Sequence, residues 1–213
     1  MNQQARSELT ILLLLRHGET ALTPERRFSG VGGADPGLSE VGRSQAARAA
    51  GSTLLVAAGV EAVVCSPLRR CRQTAAVVAR RLGLEVVVEE GLREADFGDW
   101  DGLTSAEVQE RFPEDLRAWR ASARVAPTGS AESFAEVARR VDAFKDVLLS
   151  RYRGQRVLAV THVGVVKALV QLALRAPAEA VHAMELSPAA FSCVAYAGST
   201  PSLRLYNDTA HLR

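Results

Sequence analysis

The stretch that most limits what this chain can become is Ile11–Thr20, ILLLLRHGET. Its first five residues are all apolar. That run is long enough for a strand buried on both faces and too short to span a membrane. It then breaks into Arg16-His17-Gly18, followed by Glu19. A buried strand ending in a cation, an imidazole and a glycine delivers chemistry to the carboxyl edge of a sheet, where open α/β sheets bind ligands. A lone histidine there is more simply a polar strand terminus. Two other strand ends of similar composition turn the argument.

The second expected strand is Val60–Ser66, running into Ser66-Pro67 with Arg69 and Arg70 close behind. Ser66 and Pro67 read as an N-cap and a first helical residue. Leu68, Cys71, Ala75, Val78 and Leu82 then follow at helical spacing until Gly83. A later strand, Arg156–Thr161, runs into His162-Val163-Gly164. If these strands are parallel, all three ends share one edge. Two of the chain's four histidines would then lie beside arginines and a helix amino terminus.

Such a cluster favours an anion, most simply a phosphate. Guanidinium groups repel a metal cation, and neither HExxH nor His-x-His occurs, so no metal is expected. A cysteine-phosphatase loop is excluded because Cys71 stands where its arginine would be required, six residues after Cys65.

The remaining chain alternates strands and helices. Residues 1–8 read as a loose tail. Ala21–Leu38 is a long glycine- and arginine-rich connection of the kind that is usually functional. Ser39 caps a helix expected from Val41 to Ala58, stopped by Gly59, and Leu84–Val88 is a strand. Capping boxes stand at Thr104-x-x-Glu107 and Ser133-x-x-Glu136, and Pro113 opens a short helix between them. Phe134, Val137, Val141, Phe144 and Leu148 form one helical stripe, and Val163–Leu174 is a mostly apolar helix. Phe191–Ala197 and Leu203–Tyr206 are the last strands. The pattern implies a three-layer α/β/α sandwich with a largely parallel central sheet, one domain over 9–213, and a cap region at about 96–132.

A formal charge of +2 gives no net drive toward nucleic acid or anionic lipid. Three cysteines without a CxxC pair suit a reduced, cytoplasmic protein, and no secretory signal or membrane span is visible. A monomer or a homodimer is expected.

Four ordered motifs carry a resemblance. They are Arg16-His17-Gly18-Glu19-Thr20, then Cys65-Ser66-Pro67-Leu68-Arg69-Arg70 with Gln73-Thr74-Ala75, then Leu92-Arg93-Glu94 with Phe97–Thr104, and finally Thr161-His162. Together they resemble the histidine phosphatase superfamily, the phosphoglycerate mutase-like fold, over about residues 9 to 206. Glu25–Gly30 and Tyr206–Leu212 are similar to the phosphatase half of bifunctional ribonuclease H/acid phosphatases and to α-ribazole phosphatase-like proteins. No ribonuclease H segment is expected within this chain.

The resemblance implies that His17 is a nucleophile becoming phosphohistidine. It implies that Arg16, Arg70 and His162 bind phosphoryl oxygens, and that Glu94 is the general acid and then the base. Thr23, Ser29, Gly30 and Val163 would add substrate contacts. Many relatives carry Trp-Asn where Leu22-Thr23 stands, and Gly-Glu-Ser where Ala131-Glu132-Ser133 stands. The implied activity is a cofactor-independent, metal-independent phosphomonoesterase acting on a small phosphorylated metabolite. A mutase, or a non-catalytic phosphate- or partner-binding relative, is the alternative.

Overall fold

The structure is a computed structural model and describes residues 9–213; the expected tail, 1–8, lies outside the described residues. Six strands form one sheet: β1 (Leu9–Arg16), β2 (Ala62–Cys65), β3 (Val86–Val88), β4 (Arg156–Thr161), β5 (Phe191–Ala197) and β6 (Thr200–Asp208), in the order β3-β2-β4-β1-β5-β6. The first four in that order run parallel. β5 and β6 close the other side antiparallel.

The apolar run that opens the chain is therefore the buried strand its composition requires. Alternate residues face opposite layers. Leu12 and Leu14 join one core with Val157, Ala159, Val194, Val137 and Val165, while Leu13 and Leu15 join a second with Val63, Val160, Phe191, Cys71 and Val78. The first core is covered by α6 (Phe134–Arg151) and α7 (Val163–Leu174). The second is covered by α1 (Glu40–Ala50), α2 (Thr53–Ala58) and α3 (Arg69–Leu82). Helices on both faces make the three layers.

Residues 96–132 contain α4 (Ser105–Arg111) and α5 (Pro113–Ala121), built on a small core of their own from Trp100, Val108 and Leu116. Both capping boxes form as expected. No helix among the described residues is long and apolar enough to cross a membrane.

Two local expectations fail for identifiable reasons. The helix expected over 41–58 is two helices, because Gly51 ends α1 and the Ser52 hydroxyl accepts from Leu55 N at 3.1 Å, capping α2. Ser66 and Pro67 do not cap α3. That helix starts at Arg69 after an extended Leu68, and the Ser66 hydroxyl accepts from Leu68 N at 3.3 Å and meets the His162 ring at 2.7 Å. The edges of the sheet also shift: β3 begins only at Val86, and β6 extends from Thr200 to Asp208.

Gly18 and Gly42 let the turn after β1 lie directly on the first turn of α1. A Cβ at Gly42 would come 2.0 Å from the Glu19 carbonyl oxygen, and one at Gly18 would come 2.5 Å from that of Gly42. Backbone blocks both positions, so neither clash can relax by a side-chain rotation. Gly42→Ala is expected to cost about 1–3 kcal/mol, measured by urea unfolding. A neutral effect would show that this contact yields easily.

Candidate active site

The strand ends do meet. Arg16 sits opposite Thr161 in the β1–β4 ladder, and His17 N donates to Thr161 O at 3.0 Å. The next residue beyond each of these, His17 and His162, therefore lie side by side, with ring centroids 5.2 Å apart. His17 is pinned on its other side as well, where Ala189 N donates to its carbonyl at 3.1 Å.

The orientation of the His17 ring follows from one bond. Its Nδ1 lies 2.8 Å from Gly18 O. A carbonyl only accepts, so Nδ1 carries the proton and Nε2 keeps its lone pair. Burial, then the charges of Arg16 and Arg70, hold the His17 pKa well below the ordinary histidine value. The ring is thus neutral at pH 7, as an attacking nitrogen must be. His162, fully buried, is held low by the same causes. Its Nε2 lies 2.7 Å from Ser66 Oγ and 3.3 Å from Cys71 Sγ.

Two guanidinium groups flank the imidazoles. Arg16 Nη1 donates to Leu186 O at 2.6 Å, and burial lowers its pKa to about 10, which leaves it cationic at neutral pH. Arg70 is 1% exposed; its Nη2 donates to Ser29 O at 2.9 Å and its Nη1 lies 3.5 Å from Asp35 Oδ1. Arg16 Nε, Arg70 Nε and Nη1, and Ser29 Oγ are buried without a hydrogen-bond partner among the described residues. Buried donors are ordinarily satisfied. A group of such donors beside a nucleophilic nitrogen is a cradle for a multivalent oxyanion.

Glu94 supplies the opposite chemistry. Its Oε1 accepts from Ala95 N at 2.9 Å and from Gly164 N, near the start of α7, at 3.1 Å. A Cβ at Gly164 would stand 2.4 Å from that oxygen and push the carboxyl group from its place. Burial raises the Glu94 pKa against the opposing pull of these amides and of Arg70 and Arg16. The carboxyl group is thus poised to hold a proton.

A pocket of about 300 Å³ opens over these groups, lined by Arg16, His17, Thr23, Ser29, Glu94 and Val163 together with a largely apolar wall. Arg70, 1% exposed, and His162, fully buried, are not among its lining residues. Thr23 lines the pocket, but its hydroxyl already accepts from Thr20 N at 3.0 Å. Gly30 is likewise not among the lining residues. Its amide donates to Asp101 at 2.5 Å, and a Cβ there would strike Ala95 O at 2.4 Å. Asp35, Ser66, Lys167 and the rings of the pocket wall, Phe28, Phe97, Trp119 and Phe134, escaped the sequence reading. Asp35 alone had a local signal, an acid just before Pro36 at the end of the long loop.

The fold and this geometry together define a class. The chain belongs to the histidine phosphatase superfamily (branch 1), whose family model matches residues 12–209. It is 46% identical over 209 residues to a bifunctional protein of Mycobacterium tuberculosis (strain ATCC 25618 / H37Rv). That match covers 98% of this chain and 56% of the relative, so the chain spans a little over half of that protein's length. It is 36% identical over 151 residues to phosphoserine phosphatase 1 of Hydrogenobacter thermophilus (strain DSM 6534 / IAM 12695 / TK-6), covering 71% of this chain and 70% of that protein. The solved structure of mycobacterial glucosyl-3-phosphoglycerate phosphatase complexed with VO3 superposes with a TM-score of 0.82 at 33% identity, covering 93% of this chain and 99% of that one. Phosphatases are thus prominent among its relatives.

Inorganic phosphate is expected to raise the melting temperature of this protein. At about 100 times its Kd a ligand adds roughly 2.7 kcal/mol. Arg70→Gln should abolish the shift while leaving a cooperative transition. An unchanged shift in the variant would remove Arg70 from the anion site.

Proposed function

We propose that this protein is a phosphomonoesterase that works through a phosphohistidine, without a metal, on a small phosphorylated metabolite. The observation that carries the reading is the His17 ring, with Nδ1 committed to Gly18 O and Nε2 free, beside the unfilled donors of Arg16 and Arg70. Its cytoplasmic setting belongs to the same proposal.

In the first step the Nε2 lone pair forms a bond to phosphorus as the ester P–O bond breaks. The electrons go to the alcohol oxygen, which takes the Glu94 proton. In the second step water attacks phosphorus, returns a proton to Glu94 and releases inorganic phosphate as the N–P bond breaks. Charge on the non-bridging oxygens is met throughout by preplaced donors from Arg16, Arg70 and His162. Arginine takes the electrostatic part that a divalent ion plays elsewhere, and among the described residues no three His, Cys, Asp or Glu side chains gather as a metal site.

Quenching a reaction with phosphate-labelled substrate under alkaline, acid-free conditions should trap label on wild-type protein and none on His17→Ala. Turnover should persist in excess EDTA. Full activity in His17→Ala, or EDTA inactivation reversed by added metal, would overturn the mechanism.

Glu94 predicts a pH effect with a definite sign. Turnover needs His17 neutral, which holds above its lowered pKa, and Glu94 protonated, which holds below its raised pKa. With an alkyl phosphate, kcat/KM should fall as pH rises through the Glu94 pKa. In Glu94→Gln that limb should vanish and the rate should drop about 10²–10⁴-fold. Substrate ionisation is common to both enzymes, so an identical descending limb in the variant would remove Glu94 as the acid.

A further inference from the structure

Phosphoryl transfer accounts for one end of the pocket only. The other end is built from rings. Phe28 reaches it from the loop after β1, Phe97 from the segment after Glu94, Trp119 from α5 and Phe134 from the first turn of α6. These four segments are far apart in the chain, yet their side chains form one continuous surface. Phe28 lies 5.0 Å from Phe97 and 6.2 Å from Trp119, and Trp119 lies 5.3 Å from Phe134, all between ring centroids.

The surface is rigidly backed. Trp100, fully buried, lies 5.4 Å from Phe28 and 5.5 Å from Trp119, and its indole N–H donates to Asp115 at 3.0 Å. Leu22 and Val163 add to the apolar lining. Apart from the groups at the phosphoryl end, the charged side chains of the lining are Arg26, Arg27 and Lys167. Arg27 is paired with Glu25 and Glu107, the Lys167 ammonium donates to Val181 O at 3.0 Å, and Glu94 is the lone carboxyl group of the lining. Aromatic walls of this kind favour planar rings, by stacked or edge-on contact as well as by burial.

We propose that the alcohol released by this enzyme carries a planar aromatic ring, which packs on Phe28, Trp119 and Phe134 while the phosphoryl group lies at His17. The proposal rests on the phosphatase reading and adds the class of leaving group to it. Trp119 is then a specificity residue. It touches the leaving group and takes no part in bond making.

The test compares 2-phenylethyl phosphate with ethyl phosphate, two alkyl esters whose alkoxides need a proton alike. Wild-type kcat/KM should favour the phenylethyl ester by about 10–100-fold, the worth of one buried phenyl group. Trp119→Ala should lose at least tenfold more on the phenylethyl ester than on the ethyl ester. A measurement on wild-type protein stands independently of how the variant folds: 2-phenylethylphosphonate should inhibit at least tenfold better than ethylphosphonate. Equal values for the two esters, or stronger preference for 3-phosphoglycerate, would overturn the inference and leave the phosphatase reading intact. No turnover of any ester would sink that reading as well.

Discussion

Everything at this site depends on the register between two central parallel strands. β1 and β4 pair so that Arg16 stands opposite Thr161, which makes the next residue on each chain a histidine at the same level. Side chains alternate along a strand, so a slip of one residue would turn every leucine of β1 to the other layer. The cores on the two faces use different alternate residues of the same strand, and they hold this register from both sides. The chemistry at the strand ends is thus positioned by hydrophobic packing well inside the sheet.

Burial then sets the character of the groups so positioned. Away from water, charge on an imidazole is costly, and two nearby guanidinium groups add to that cost, so both histidines are neutral. The same burial moves Glu94 in the opposite sense and favours its neutral acid. One dry site therefore keeps the imidazoles unprotonated and biases the carboxyl group toward its acid form, burial outweighing the pull of the arginines on Glu94. Arginine tolerates this setting because its pKa has far to fall; Arg16, lowered to about 10, is still charged.

The layered fold and the convergence of Arg16, His17, Arg70 and His162 could be read from the chain because each follows a buried strand or opens the helix after one. Short-range patterns end there. Ser66 followed by Pro67 looks like a helix cap, yet the helix starts only at Arg69, and the Ser66 hydroxyl lies between Leu68 N at 3.3 Å and the His162 ring at 2.7 Å. Gly51 and Ser52 break a helix whose apolar spacing runs on regardless. Gly30 sits in a motif that resembles a substrate loop, but its close contact with Ala95 belongs to tertiary packing. The aromatic wall was illegible for a different reason. Phe28, Phe97, Trp119 and Phe134 come from four segments, and no local spacing relates them.

The place of β1 in the sheet also bears on how the protein is made. This strand leaves the ribosome first among the six, yet it occupies an interior position between β4 and β5. Its hydrogen-bonding partners, Arg156–Thr161 on one edge and Phe191–Ala197 on the other, are synthesised last but for β6. Throughout most of translation, then, ILLLLR has both edges unpaired. It is a β-prone apolar segment of the type that associates with other chains. Long-range pairing of this order is slow to form. Fragments that stop short of β5 leave one edge of β1 without its partner however well their helices form.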